Sequence, residues 1–192
     1  MRPARGVPRP DRERRSPMPK VDVDFRDYYR QLSDGLQSGG LLLASQDASG
    51  RANCMTIGWA FMGPAWGRLI FVALVRPSRY TYELVEASGD FTVNLMPRSH
   101  AGALSFCGTY SGRQHDKFAE QGLTAVAGRR VSSPSIEQAL LVVECRVVDR
   151  TDLNPATLDT SIKTASYPKG DYHRLYFGEV VAAYAEEDYR PL

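Results

Sequence analysis

Six consecutive residues, Arg76-Pro-Ser-Arg-Tyr-Thr81, place two guanidinium groups and two hydroxyls at the entry to a short helical pattern. Such a turn can hold a phosphate. The first N–H groups of a helix are unpaired, its dipole favours an anion there, and Arg grips phosphate oxygens through paired, charge-assisted hydrogen bonds. Ser78 and Thr81 add hydroxyl donors beside Arg76, Arg79 and Tyr80, and Pro77 presets the backbone for helix entry. The same residues also fit a capped surface helix with solvated arginines. A Gly89-Asp90 turn follows, then Phe91-Thr-Val-Asn-Leu95. Asn94 stands on that alternating strand and offers both donor and acceptor to the edge of a planar ring. A phosphate site next to a ring-edge reader points to a nucleotide-like cofactor.

Three other segments carry chemistry. In Asn53-Cys-Met-Thr-Ile-Gly-Trp59, alternation puts Asn53, Met55, Ile57 and Trp59 on one face and Cys54, Thr56 and Gly58 on the other. Gly58 permits close approach, so the strand can lie along a flat ring; an ordinary strand with a glycine bulge is the alternative. In Cys107-Gly-Thr-Tyr-Ser-Gly-Arg-Gln-His-Asp-Lys-Phe118, Ser111, Gly112, Arg113 and Lys117 form a second anion-friendly group, or else a solvated loop. Cys107 and His115 invite a nucleophile–base reading, but the sequence identifies no third residue to orient the base. In Gly170-Asp-Tyr-His173, the imidazole follows a turn and opens a strand, where it either meets a second substrate or is a satisfied structural histidine.

The elements that position these groups are mostly strands. Apolar spacing predicts a helix over 25–36, a hairpin of strands 41–45 and 53–61, a strand over 69–75, a helix over 80–87 ended by Gly89, and a strand over 90–96. Helical segments over 100–106 and 116–120 follow, then a long strand over 140–150, a turn-rich interval, and a final strand over 175–184. Strands and helices do not alternate regularly, which argues against a doubly wound parallel sheet. The pattern favours a mainly β fold, an antiparallel barrel with a few peripheral helices. Neither G-x-G-x-x-G nor G-x-x-x-x-G-K-[ST] occurs.

With 192 residues and 43% hydrophobic content, the chain fits one domain with a real core. The net charge of +2 conceals an uneven distribution. Residues 1–20 hold seven of the 24 basic residues, two of the 22 acidic ones and five of the 12 prolines, a charge of +5 that leaves −3 on the remainder. Residues 1–20 therefore read as a disordered basic tail, with Met18 an alternative start, and 21–192 as the domain. The acidic body is not an obvious nucleic-acid binder, and no apolar run has the length of a membrane helix. Three separated cysteines without a C-x-x-C pair give no metal motif and fit reduced thiols in a cytoplasm. Deleting residues 1–17 is expected to leave the melting temperature unchanged, since the segment has no apolar pattern to bury; a clear fall on thermal unfolding contradicts this.

Taken in order, five pieces resemble the flavin reductase-like family, in particular its flavoredoxin-type branch: Met55-Thr-Ile-Gly-Trp59, Arg76-Pro-Ser-Arg-Tyr-Thr81, Phe91-Thr-Val-Asn-Leu95, Cys107–Arg113 with Asp116-Lys-Phe118, and Gly170-Asp-Tyr-His173 with Phe177-Gly-Glu179. They span nearly all of residues 40–184. The resemblance implies an FMN-binding split β-barrel, with FMN held by Asn53, Met55, Thr56, Ile57 and Trp59, by Arg76, Ser78, Arg79, Tyr80 and Thr81, by Asn94, and by Ser111, Gly112, Arg113 and Lys117. It implies a homodimer with flavin near the subunit interface, and NAD(P)H approaching the flavin beside His173. One departure is that Tyr172 separates Asp171 from His173, where many reductases have Gly-Asp-His contiguous. The implied activity is an NAD(P)H-dependent flavin reductase passing electrons to a partner protein or another acceptor; the alternative is a non-catalytic flavin-binding electron carrier or sensor.

Overall fold

Alternation in the strands builds two apolar faces, and the chain buries both. A computed structural model describes residues 18–192. Most of the basic tail lies outside the described residues. In chain order the elements are β1 (Lys20–Asp22), a 3-10 turn (Phe25–Tyr28) leading into α1 (Tyr29–Gln37), β2 (Leu41–Gln46), β3 (Ala52–Ile57), β4 (Ala60–Ala65) and β5 (Arg68–Val75). Then come α2 (Tyr80–Ser88), β6 (Asp90–Leu95), α3 (Ala101–Thr109), α4 (Lys117–Glu120), β7 (Ala125–Val126), β8 (Ser135–Ile136), β9 (Leu141–Asp152), α5 (Thr160–Ser166) and β10 (Arg174–Glu186).

One antiparallel sheet runs β3-β2-β6-β9-β10-β5-β4, with β1 on the free part of β10. Position 21, where the domain is expected to begin, lies within β1, whose Lys20 faces Glu186 across the pair. The sheet curls until β3 lies against β5 without pairing to it.

Inside the curl sit Leu41, Leu43, Met55, Ile57, Phe71, Ala73, Val75, Phe91, Val93, Leu95, Leu141 and Val143, every second residue of five strands. The opposite faces of β2 and β3, carrying Leu42, Ala44 and Cys54, are covered by Ala103 and Cys107 of α3 and Phe118 of α4. Double burial explains the near-continuous apolar run Leu41–Leu43. Helix α2 ends at Gly89 (φ 69°), a left-handed position that glycine adopts without a Cβ penalty.

Three expectations are corrected. The single strand expected over 53–61 is two, because the chain turns at Gly58-Trp59 and pairs onward with β5 instead of β2. Cys107 belongs to α3 and not to the loop after it. The turn-rich interval holds α5, capped by the Asp159 carboxylate on the Ser161 and Ile162 amides. Among the described residues no helix is long and apolar enough to cross a membrane.

Candidate functional site

The turn after β5 and the loop after α3 converge on the end of β3. Ser78, Arg79, Tyr80, Thr81, Gly108, Thr109, Ser111, Gly112 and Lys117 line one cavity with Met55 and Cys107. A second cavity adjoins it and is lined by Met55, Thr56, Ile57, Gly58, Trp59, Leu74, Arg76, Arg79 and His173. Met55 and Arg79 border both. The first is cationic and rich in hydroxyls; the second is a slot between the end of β3 and the imidazole.

Two cations line the first cavity. The Arg79 guanidinium reaches only the Gly108 carbonyl, at 3.5 Å, and has no carboxylate partner among the described residues. Lys117 is buried, and its Nζ donates to the carbonyls of Cys54 and Cys107, both at 2.9 Å. Burial pushes its pKa down from the ordinary lysine value. Two neutral carbonyls compensate a buried ammonium poorly, so an anion in this cavity would supply the missing charge. Gly112 permits the closure of the wall: a Cβ there would sit 2.0 Å from Asn53 Oδ1.

Other expected residues are present as braces. Asn53 is buried and donates from Nδ2 to Thr81 Oγ1 at 2.8 Å, tying β3 to the first turn of α2. Thr56 lines the slot while its hydroxyl donates to the Leu104 carbonyl of α3. Arg113 lies over the Tyr80 ring, donates to the Ser78 carbonyl and pairs with Glu83 at 2.5 Å; its charge is spent outside the cavity. Arg76 touches the slot, but its guanidinium donates to the carbonyls of Ser166 and Asp171 and covers the Tyr167 ring. The Asp171 carboxylate in turn accepts from Ser78 N and Oγ, so this turn is locked to the loop that carries His173.

Asn94 is the one expected residue that the fold takes elsewhere. It is fully buried on the α4-side face of β6. Its amide donates to the Leu42 carbonyl and Thr92 Oγ1, and its oxygen accepts from Ile136 N, so no ring edge can reach it. Cys107 and His115 do not form a nucleophile–base pair either. His115 Nδ1 meets the Glu120 carboxylate, and the Cys107 thiol meets Cys54.

His173 is buried at the slot, with Nδ1 2.7 Å from the Tyr167 hydroxyl and its ring 5.1 Å from that of Trp59. Burial, reinforced by the Arg76 charge, lowers its pKa to about 4. The imidazole is therefore neutral at physiological pH. In the tautomer whose Nδ1 accepts from the phenol, the ring proton resides on Nε2, a hydrogen-bond donor. Sequence reasoning missed Tyr167. Its only signal was its place shortly before the Gly170-Asp-Tyr-His173 turn.

A family model described as the flavin reductase like domain matches residues 33–192. The chain belongs to the flavin reductase-like family. Its curled sheet with outer helices has the split-barrel architecture of that family's solved structures. A flavoredoxin from Methanosarcina acetivorans is 27% identical, covering 78% of this chain and 70% of that one with a TM-score of 0.63. An FMN-binding domain of a flavin reductases-like enzyme from Shewanella baltica OS155 superposes with a TM-score of 0.66 over 90% of this chain and 80% of that one; at 17% identity it speaks for the fold alone. A protein of Aeropyrum pernix is 29% identical over 150 residues, 78% of this chain and 50% of that protein. The chain spans about half to three-fifths of the length of the curated relatives first matched.

Proposed function

We propose that this flavin reductase-like chain binds FMN across the two cavities and acts as an NAD(P)H-dependent oxidoreductase. The observation that carries the reading is the pair of adjoining cavities sharing Met55 and Arg79, one cationic and one a slot ending at a neutral imidazole. The donor set fits a phosphomonoester: Arg79, Lys117 and the Ser111 hydroxyl border one compact space, while the Ser78 and Thr109 hydroxyls donate to Asp171 and to the Ser105 carbonyl. A bound isoalloxazine would supply the redox chemistry between NAD(P)H and a protein or small-molecule acceptor.

The protein supplies orientation and electrostatics. Residues 55–59 give the slot one wall, and their backbone offers N–H groups to a polar ring edge. Met55 and Ile57 close the barrel end beneath it. With Nδ1 accepting from Tyr167, His173 can donate from Nε2 to an incoming amide or phosphate, and the Tyr167 contact fixes the orientation of the imidazole. Trp59, 47% exposed, and Phe61, 62% exposed, flank the open side. Their exposure beside the slot supports a homodimer in which a second copy covers this edge. A flavin-binding electron carrier is the competing reading. The buried, oriented His173 favours the enzyme, because a carrier has no second ligand for it to meet.

One compact cationic cavity, with no diphosphate-binding glycine motif in the sequence, favours FMN over FAD. Mass spectrometry of the cofactor released by heating is expected to show FMN; mostly FAD contradicts the assignment.

A further inference from the structure

Cys54 and Cys107 lie 53 residues apart in sequence, one on β3 and one on α3, yet their Sγ atoms are 3.5 Å apart. Cys145, the third cysteine, is buried inside the barrel away from them. Three features distinguish the pair from two thiols packed by chance. Cys107 lines the cationic cavity and is otherwise buried, so that cavity is the way a small solute reaches it. The Lys117 ammonium donates to the backbone carbonyls of both cysteines, so a positive charge sits at the pair. Finally, the thiols differ in acidity. The hydrogen bond between the two sulfurs holds Cys107 below the ordinary thiol range, and the same contact together with burial pushes Cys54 up. Cys107 is therefore suited to attack and Cys54 to resolve.

We propose that Cys54 and Cys107 are a redox-active dithiol, oxidised to an intramolecular disulfide by a small peroxide that enters the cationic cavity. The Cys107 thiolate attacks one peroxide oxygen, the O–O bond breaks, and hydroxide leaves, taking a proton to become water. Cys107 is then a sulfenic acid. The Cys54 sulfur attacks the Cys107 sulfur, the S–S bond forms and the S–O bond breaks. The departing hydroxide takes the Cys54 proton as a second water. Two thiols lose two electrons and two protons in all, and the peroxide gains them. Bonding requires the sulfurs to close to about 2.05 Å, drawing α3 towards β3 at the cavity floor. The Lys117 acceptor carbonyls belong to these same two residues, so thiol oxidation reshapes the anion site. This inference concerns the thiols alone and stands whether or not the cavity holds FMN.

The test treats the purified, pre-reduced protein with hydrogen peroxide, then alkylates it under denaturing conditions and maps its peptides by mass spectrometry. The expected result is loss of two of the three alkylatable thiols, a mass lower by two hydrogens, and a cross-linked peptide pair containing Cys54 and Cys107, with Cys145 still a thiol. Cys54→Ser is expected to accumulate a Cys107 sulfenic acid that dimedone traps. Because the wild-type mapping needs no variant, poor folding of Cys54→Ser leaves the test intact. Three surviving thiols, a disulfide involving Cys145, or oxidation of Cys145 as fast as Cys107 each overturns the proposal.

Discussion

Arg79→Ala is expected to weaken FMN binding roughly ten- to a hundredfold, while Arg98→Ala leaves it nearly unchanged. A charge-assisted hydrogen bond contributes about 1.5–3 kcal/mol, which sets that range. Arg79 borders both cavities and has no carboxylate to compensate its charge among the described residues. Arg98 opens an exposed 3-10 turn after β6, in neither cavity. Fluorescence titration of the apoprotein with FMN measures both constants. Arg79 is exposed, so its loss leaves no buried partner stranded and the fold is expected to survive. Equal affinities for the two variants contradict the phosphate assignment.

His173→Ala is expected to slow flavin reduction by NAD(P)H about ten- to a hundredfold, the scale of a misplaced ligand, with FMN still bound. None of the groups lining the cationic cavity is His173, so anion binding does not depend on it. Tyr167→Phe keeps the ring against His173 but removes the hydroxyl that orients the imidazole, and an intermediate loss of rate is expected. Stopped-flow reduction rates beside flavin occupancy separate this from a structural histidine, whose loss lowers both together. The folded pKa of about 4 adds a pH signature. His173 is neutral above that value, so it contributes no inflection to the reduction rate between about pH 6 and 8. Because the folded pKa is depressed, the unfolded chain binds the extra proton as pH falls. The associated stability is full above about pH 6.5 and is lost as pH drops through about 4.

The strand pattern was legible because burial on one face alternates with burial on the other, and β2, β5, β6, β9 and β10 fall where alternating or continuous apolar runs place them. The turn over 76–81 was legible as a helix entry because Pro77 presets the backbone and α2 begins at Tyr80. Asn94 was misread for a physical reason. An amide on a strand reads the same whether it faces a ligand or the backbone of a neighbouring segment, and here Ile136 N and the Leu42 carbonyl satisfy it. Arg76 and Arg113 were overassigned because sequence spacing does not show that Ser166, Asp171 and Glu83 claim their donors first. Tyr167 and the Cys54–Cys107 pair are products of long-range packing. No local spacing encodes them.

The most direct measurement is an anaerobic titration of the flavin-loaded protein with NADH and, separately, NADPH, followed by visible absorbance. The account predicts that at least one nicotinamide bleaches the flavin band stoichiometrically, and that His173→Ala does so more slowly at equal occupancy. A flavin band unchanged by excess of either nucleotide contradicts the reductase reading and leaves an electron carrier.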